Sequence, residues 1–300
     1  MGLSAYHPFR SVQAKEEYLA IYDRQAKQWP LESESRMVET SYGQTFVRIS
    51  GPENAPPLVL LAGRYGNSLM WIPHIEAFSA DYKTYAVDCI FDLGRSLPRR
   101  RLKASSDFVY WLDELFTALR LGNQICLLGA SFGGWQAALY ALRFQNRLAK
   151  MVLIAPAVTV LPVPLEFYAR SLLAMIHPYF FRRHLFWLFE DSVRQDEVSL
   201  RELDKYQAET RAALRLLKFD FAYGVFPTML KDNELKSLKV STIFIVGEHE
   251  KIYSASRAVQ RLNTLAPQVK TVIIPQAGHD VLSLQTEMVN NEVLEFLKPS

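Results

Sequence analysis

Residues 125–134 read Ile-Cys-Leu-Leu-Gly-Ala-Ser-Phe-Gly-Gly, and few folds can hold such a string. The first four residues are continuously apolar, as a strand covered on both faces should be. The run then breaks into G-x-S-x-G with Ser131 at its centre, after which Trp135, Ala138, Leu139 and Leu142 recur at helical spacing. Strand, sharp turn and helix in that order form the pattern of a nucleophile elbow. Gly129 and Gly133 flank the serine because a side chain in either place would collide across so tight a turn. The turn leaves the hydroxyl exposed at the positive end of a helix, where developing negative charge is favoured. A serine at this place can also serve merely as a helix cap in an ordinary strand-to-helix turn. The string lacks the G-x-G-x-x-G that a dinucleotide would need.

The rest of the chain supplies a frame for such a turn. Residues 11–29 place Tyr18, Ile21, Tyr22, Ala26 and Trp29 at helical intervals, and Pro30 ends the run. A hairpin follows over 37–41 and 45–49, turning at Tyr42-Gly43. Strands are then expected at 58–62, 84–88, 125–128, 151–155, 242–246 and 271–274. Helices are expected near 68–80, 106–120, 132–145, 254–265 and 285–298. Alternation of this type implies an α/β fold: a mostly parallel eight-stranded sheet with helices on both faces.

One connection is too long for a simple crossover, because about 85 residues separate the strands near Ala155 and Thr242. Residues 165–230 hold 13 Phe, Tyr or Trp, about 20% against 12% for the whole chain. Aromatics at that density either build a small helical core or line the inner face of a lid over the strand ends. The expected division is therefore a core of 1–160 and 231–300, with 1–35 as an N-terminal helical extension and 161–230 as a helical cap.

A serine hydroxyl becomes nucleophilic only beside a base that takes its proton, and that base needs an orienting carboxylate. On this type of sheet the chain order is serine, acid, histidine, each after a later strand. His279, in Gln-Ala-Gly-His-Asp, is the histidine beyond residue 250 and follows the 271–274 strand. Gly247-Glu248-His249-Glu250 follows the 242–246 strand and offers two carboxylates. Glu250, three residues after the glycine, is the expected acid, with Glu248 as its rival. Asp280 adjoins His279 but lacks the reach to grip its neighbour's ring. The oxyanion formed on attack needs two N–H donors. The backbone amides of Phe132 and Arg64 are assigned, the latter on the loop Ala62-Gly63-Arg64-Tyr65-Gly66-Asn67.

Several function classes are excluded. A net charge of +3 is too small to suggest nucleic acid, and the basic run Arg99-Arg100-Arg101 is not interleaved with aromatic platforms. The histidines show no metal-ligand spacing, so no metal is expected. Cys89 and Cys126 form no C-x-x-C, which favours a reducing compartment. With no apolar leader and no membrane span, since Pro156, Pro162 and Pro164 break the longest apolar stretch, a cytoplasmic location is expected.

These pieces resemble the α/β-hydrolase superfamily, in particular its bacterial carboxylesterase-type members with a helical cap. The matching segments are 60–71, 85–88, 129–134, 247–250 and 277–279, which read Leu-Leu-Ala-Gly-Arg-Tyr-Gly-Asn-Ser-Leu-Met-Trp, Tyr-Ala-Val-Asp, Gly-Ala-Ser-Phe-Gly-Gly, Gly-Glu-His-Glu and Ala-Gly-His. The resemblance implies a Ser131–His279–Glu250 triad, no cofactor, and hydrolysis through an acyl-enzyme, while the aromatic cap favours a small-molecule, apolar ester substrate. The chain departs from many members by having Ala62 where they carry histidine and Glu250 where Asp is commoner. Ser131 in place of Asp argues against haloalkane dehalogenase and epoxide hydrolase chemistry. Carbon–carbon bond hydrolysis, thioester or amide cleavage remain open on the same triad. So does a ligand-binding homologue with little turnover.

Overall fold

The computed structural model describes residues 6, 8–195, 197–218 and 225–298. Part of the N-terminal extension and residues 219–224 of the expected cap lie outside that set. Helix α1 (Val12–Ala26) begins where the Ser11 hydroxyl accepts the Ala14 amide at 3.0 Å. It leads into the hairpin β1 (Glu34–Thr40) and β2 (Gly43–Ser50). Then come β3 (Pro57–Leu61), α2 (Ile75–Asp81), β4 (Lys83–Val87), the two-residue β5 (Leu97–Pro98) and α3 (Ser106–Ala118). Strand β6 (Ile125–Ala130) runs into α4 (Phe132–Phe144), and β7 (Leu148–Ile154) follows.

The long connection carries α5 (Leu165–Ile176), α6 (Pro178–Leu188), α7 (Glu190–Gln195), α8 (Glu197–Leu216) and the short α9 (Asp232–Lys236). The chain closes with β8 (Ser241–Gly247), α10 (Ala255–Leu265), β9 (Val269–Ile274), α11 (Val281–Leu284) and α12 (Thr286–Leu297).

The sheet runs β1-β2-β4-β3-β6-β7-β8-β9, with β5 pairing to β2 off this path. From β4 to β9 every pairing is parallel, and only the contacts of β2 are antiparallel. The expected eight strands are all present; β5 is the addition. All six residues of β6 are buried, which accounts for its unbroken apolar run. One face is packed by Phe108, Trp111, Trp135 and Tyr140 from α3 and α4. The other is packed by Tyr18, Tyr22, Phe78, Val289 and Val293 from α1, α2 and α12. Helices on both faces therefore make three layers.

One expectation needs adjustment. The helix expected over 68–80 splits into a 3₁₀ turn, Ser68–Trp71, and α2, with Pro73 between them. Proline cannot donate to a continuous helical ladder, so the apolar period survives while the helix does not. Burial within the described part of the aromatic insertion is uneven. No described residue of α5 is buried, and Leu165, Leu172 and Ile176 are widely exposed. Leu185 and Leu188 of α6 and Ala213 of α8, by contrast, are buried. The N-terminal segment braces the far end of α8: Arg10 donates its amide to Leu216 O, and Lys218 donates to Pro8 O, both at 2.8 Å.

Candidate active site

The sheet places the reactive elements before any side chain is considered. From β3 the chain goes to β4 on one side and later returns to β6 on the other. The loop after β3 and the turn after β6 therefore meet at a switch in strand order, where open α/β sheets form a crevice. There, a Cβ on Gly63 would stand 3.4 Å from Ser131 Cβ and 4.0 Å from its Oγ.

Ser131 occupies the turn with φ 48° and ψ −111°, a conformation costly for a residue with a side chain. The turn is held by its own backbone: Ser131 N donates to Ile154 O at 2.9 Å, and Ala157 N donates to Ser131 O at 2.9 Å. A Cβ on Gly129 would come within 2.2 Å of Gly133 O, and one on Gly133 within 2.3 Å of Leu61 O. Backbone meeting backbone has no flexible end to yield. Gly133→Ala is accordingly expected to cost about 1–3 kcal/mol of stability. The cost should be read as a lower urea midpoint at unchanged slope, and an unmoved midpoint would contradict this packing.

Although Ser131 precedes α4, its side chain makes no capping bond to that helix. Its hydroxyl instead lies 3.0 Å from His279 Nε2, so the capping role does not describe it. His279 Nδ1 is 2.9 Å from Glu250 Oε2. The three side chains, spread over 148 positions, thus form one relay. The Glu250 side chain is fully buried, and its second oxygen accepts the Ile252 amide at 2.9 Å. An ionised carboxylate in such a place needs both partners.

Burial alone would pull the His279 pKa down. The Glu250 charge, its hydrogen bond to the ring and the nearby Asp280 carboxylate outweigh that, and the pKa lies above the ordinary 6.5. Burial, with the Glu250 charge, pushes the neighbouring Tyr253 hydroxyl well above its usual value.

Glu248 is placed elsewhere. Its carboxylate accepts the Gln276 amide at 3.3 Å and lies 3.8 Å from His249 Nε2, on a half-exposed side chain. Asp280 makes its hydrogen bonds to groups other than the His279 ring. One of its oxygens accepts the Gly278 amide at 3.0 Å, and the other accepts the Ser192 amide at 3.1 Å and its hydroxyl.

Arg64 and Phe132, whose amides are the expected oxyanion donors, are brought together through the Arg64 side chain. Its guanidinium lies 4.7 Å from the Phe132 ring centroid and its Nε 3.8 Å from Asp92 Oδ2. Asp92, missed by the sequence reading, accepts the Tyr65 amide at 3.1 Å and so fixes the loop one residue beyond Arg64. Tyr65 has φ 60°, a turn conformation that the anchored amide holds in place. Burial raises the Asp92 pKa, with Arg64 opposing. Nothing in the pattern around Asp92 signals this role, because the contact spans 27 positions. The basic run is dispersed on the surface: Arg99 pairs with Glu39, and Arg100 lies over the Tyr42 ring.

A model of the alpha/beta hydrolase family matches residues 58–292. The chain belongs to that family. Among its relatives in the alpha/beta hydrolase family is the carboxylesterase YbfK of Bacillus subtilis, 32% identical over 292 residues and 96% of each chain. The crystal structure of carboxylesterase CesB (YbfK) superimposes with a TM-score of 0.84 at 32% identity, covering 95% of this chain and 99% of that one. The crystal structure of naproxen esterase (carboxylesterase NP) from Bacillus subtilis gives 0.85 at 30% identity, covering 95% and 98%. Among the described residues no helix is long and apolar enough to cross a membrane.

Proposed function

We propose that the protein is a serine hydrolase of carboxylic esters, acting through an acyl-enzyme on Ser131. The observation that carries this reading is the continuous pair of contacts, Ser131 Oγ to His279 Nε2 at 3.0 Å and His279 Nδ1 to Glu250 at 2.9 Å. Near full-length similarity to named carboxylesterases supports the choice of ester over other acyl derivatives.

In the proposed reaction Ser131 Oγ bonds to the acyl carbon as its proton passes to His279 Nε2. The carbonyl electron pair moves onto oxygen, and the oxyanion is met by the amides of Phe132 and Arg64. As the C–O bond to the alcohol breaks, His279 returns the proton to the leaving oxygen. Water then attacks the acyl-enzyme, giving its proton to His279, and the carboxylic acid leaves as Ser131 recovers its hydrogen. Glu250 keeps the Nδ1 proton in place and stabilises the imidazolium. No step calls for a cofactor or metal.

The helical insertion serves in this reading as a cap over the strand ends, and its aromatic content suits an apolar substrate. Cys89 and Cys126, both free, are compatible with a cytoplasmic setting.

A panel of p-nitrophenyl esters of increasing acyl length, with matched thioesters and amides, tests the assignment. Ester turnover should exceed amide turnover throughout; no ester hydrolysis across the panel would reject the reading. The pH profile is a second test. His279 acts as base only when neutral, and its pKa is raised above 6.5. Activity, read as kcat/KM, should therefore be lost on acidification along a limb centred above 6.5, and a limb below it would contradict the pairing with Glu250.

A further inference from the structure

Three consecutive residues of α7 each grip a residue that adjoins the triad in sequence. Glu190 Oε2 lies 2.7 Å from Lys251 Nζ, and Asp191 Oδ1 lies 3.0 Å from His249 Nδ1. Ser192 donates its amide, at 3.1 Å, and its hydroxyl to Asp280 Oδ2. His249 and Lys251 bracket Glu250, and Asp280 follows His279. The second Asp280 oxygen accepts the Gly278 amide at 3.0 Å, so one buried carboxylate joins α7 to the residue preceding the histidine. The approach is close: a Cβ on Gly278 would stand 3.5 Å from Asp191 Oδ2. Glu190, Asp191, His249 and Lys251 line a polar cleft of about 280 Å³ together with Arg194 and Glu250.

Glu250 and His279 both sit on loops after strands, and loops are the most mobile parts of such a fold. A triad tolerates little slack, since a displacement of about 1 Å can cost about a hundredfold in rate. The long insertion thus supplies a support, separate from the sheet, to both loops at once.

We propose that Glu190, Asp191 and Ser192 are positioning residues, through which a seated insertion holds the acid and the base of the triad in register. The proposal rests on the esterase reading above and adds that the insertion acts on chemistry, not only on substrate binding.

The test compares wild type, an Asp191→Asn/Ser192→Ala double variant and Ser192→Thr. Two readouts are used: the rate of Ser131 labelling by a small fluorophosphonate, and kcat and KM for p-nitrophenyl acetate. Labelling and kcat should fall by about tenfold or more in the double variant while KM changes less than about twofold. Ser192→Thr, which keeps both donors, should retain most of the rate. Wild-type labelling and kcat in the double variant, or a loss confined to KM, would overturn the proposal. Should the double variant melt early, Glu190→Gln, which loosens only the Lys251 arm and an exposed contact with Arg194, decides by the same two readouts. A wild-type protein that neither labels nor hydrolyses the ester would instead reject the esterase reading.

Discussion

Replacing Ser131 with alanine is expected to lower ester turnover by on the order of 10⁶-fold, leaving the fold intact. The size follows from the unit nature of the relay. His279 Nε2 faces Ser131 Oγ at 3.0 Å, and that hydroxyl is the donor it would deprotonate. Without the hydroxyl no acyl-enzyme can form, and the oxyanion donors alone retain a residual acceleration. Alanine inherits the same backbone strain at φ 48° and the same bonds to Ile154 and Ala157, so thermal midpoints should match. Stopped-flow turnover of p-nitrophenyl butyrate, with fluorophosphonate labelling in parallel, measures both halves. Labelling that persists in the alanine variant would place the nucleophile elsewhere.

Glu250→Gln is expected to cost about 10⁴-fold in kcat, whereas Glu248→Gln should stay within a few-fold. The amide nitrogen of glutamine at the Oε2 position would face the Nδ1 proton as a donor. The ring must then flip its tautomer, which puts the proton on Nε2 and stops it accepting from Ser131, or lose the partner that orients it. The imidazolium formed during attack also loses the charge that stabilises it in a fully buried place. Glu248 bonds only to a surface turn and to His249, neither of which touches the reacting atoms. The opposite ranking in kcat would transfer the acid role to Glu248.

Much of this site is legible in the chain because its parts are local patterns. The elbow needs two glycines and a serine in five residues, and the same five residues adopt it in the structure. The strand order that brings the loop after β3 beside Ser131 is seen only in the folded sheet. The choice between Glu250 and Glu248 was less legible, since both follow β8 within four residues. Only the direction of the chain after Gly247 separates them, and there His249 N bonds to Ala277 O at 2.9 Å, turning Glu250 inward. Asp92 and the α7 contacts were not legible at all. Their partners lie 27 to 88 positions away, and an acidic residue on a helix or loop carries no mark of which distant backbone it will meet.

The order of residues by itself determined the alternating layers, the strained serine turn and the candidate partners of Ser131, because period, glycine placement and chain order act over short distances. The folded chain decided which carboxylate reaches His279, what anchors the Arg64 loop and that α7 grips both sides of the relay. Those outcomes depend on desolvation and on angles between elements far apart in sequence, quantities that exist only once the layers have packed.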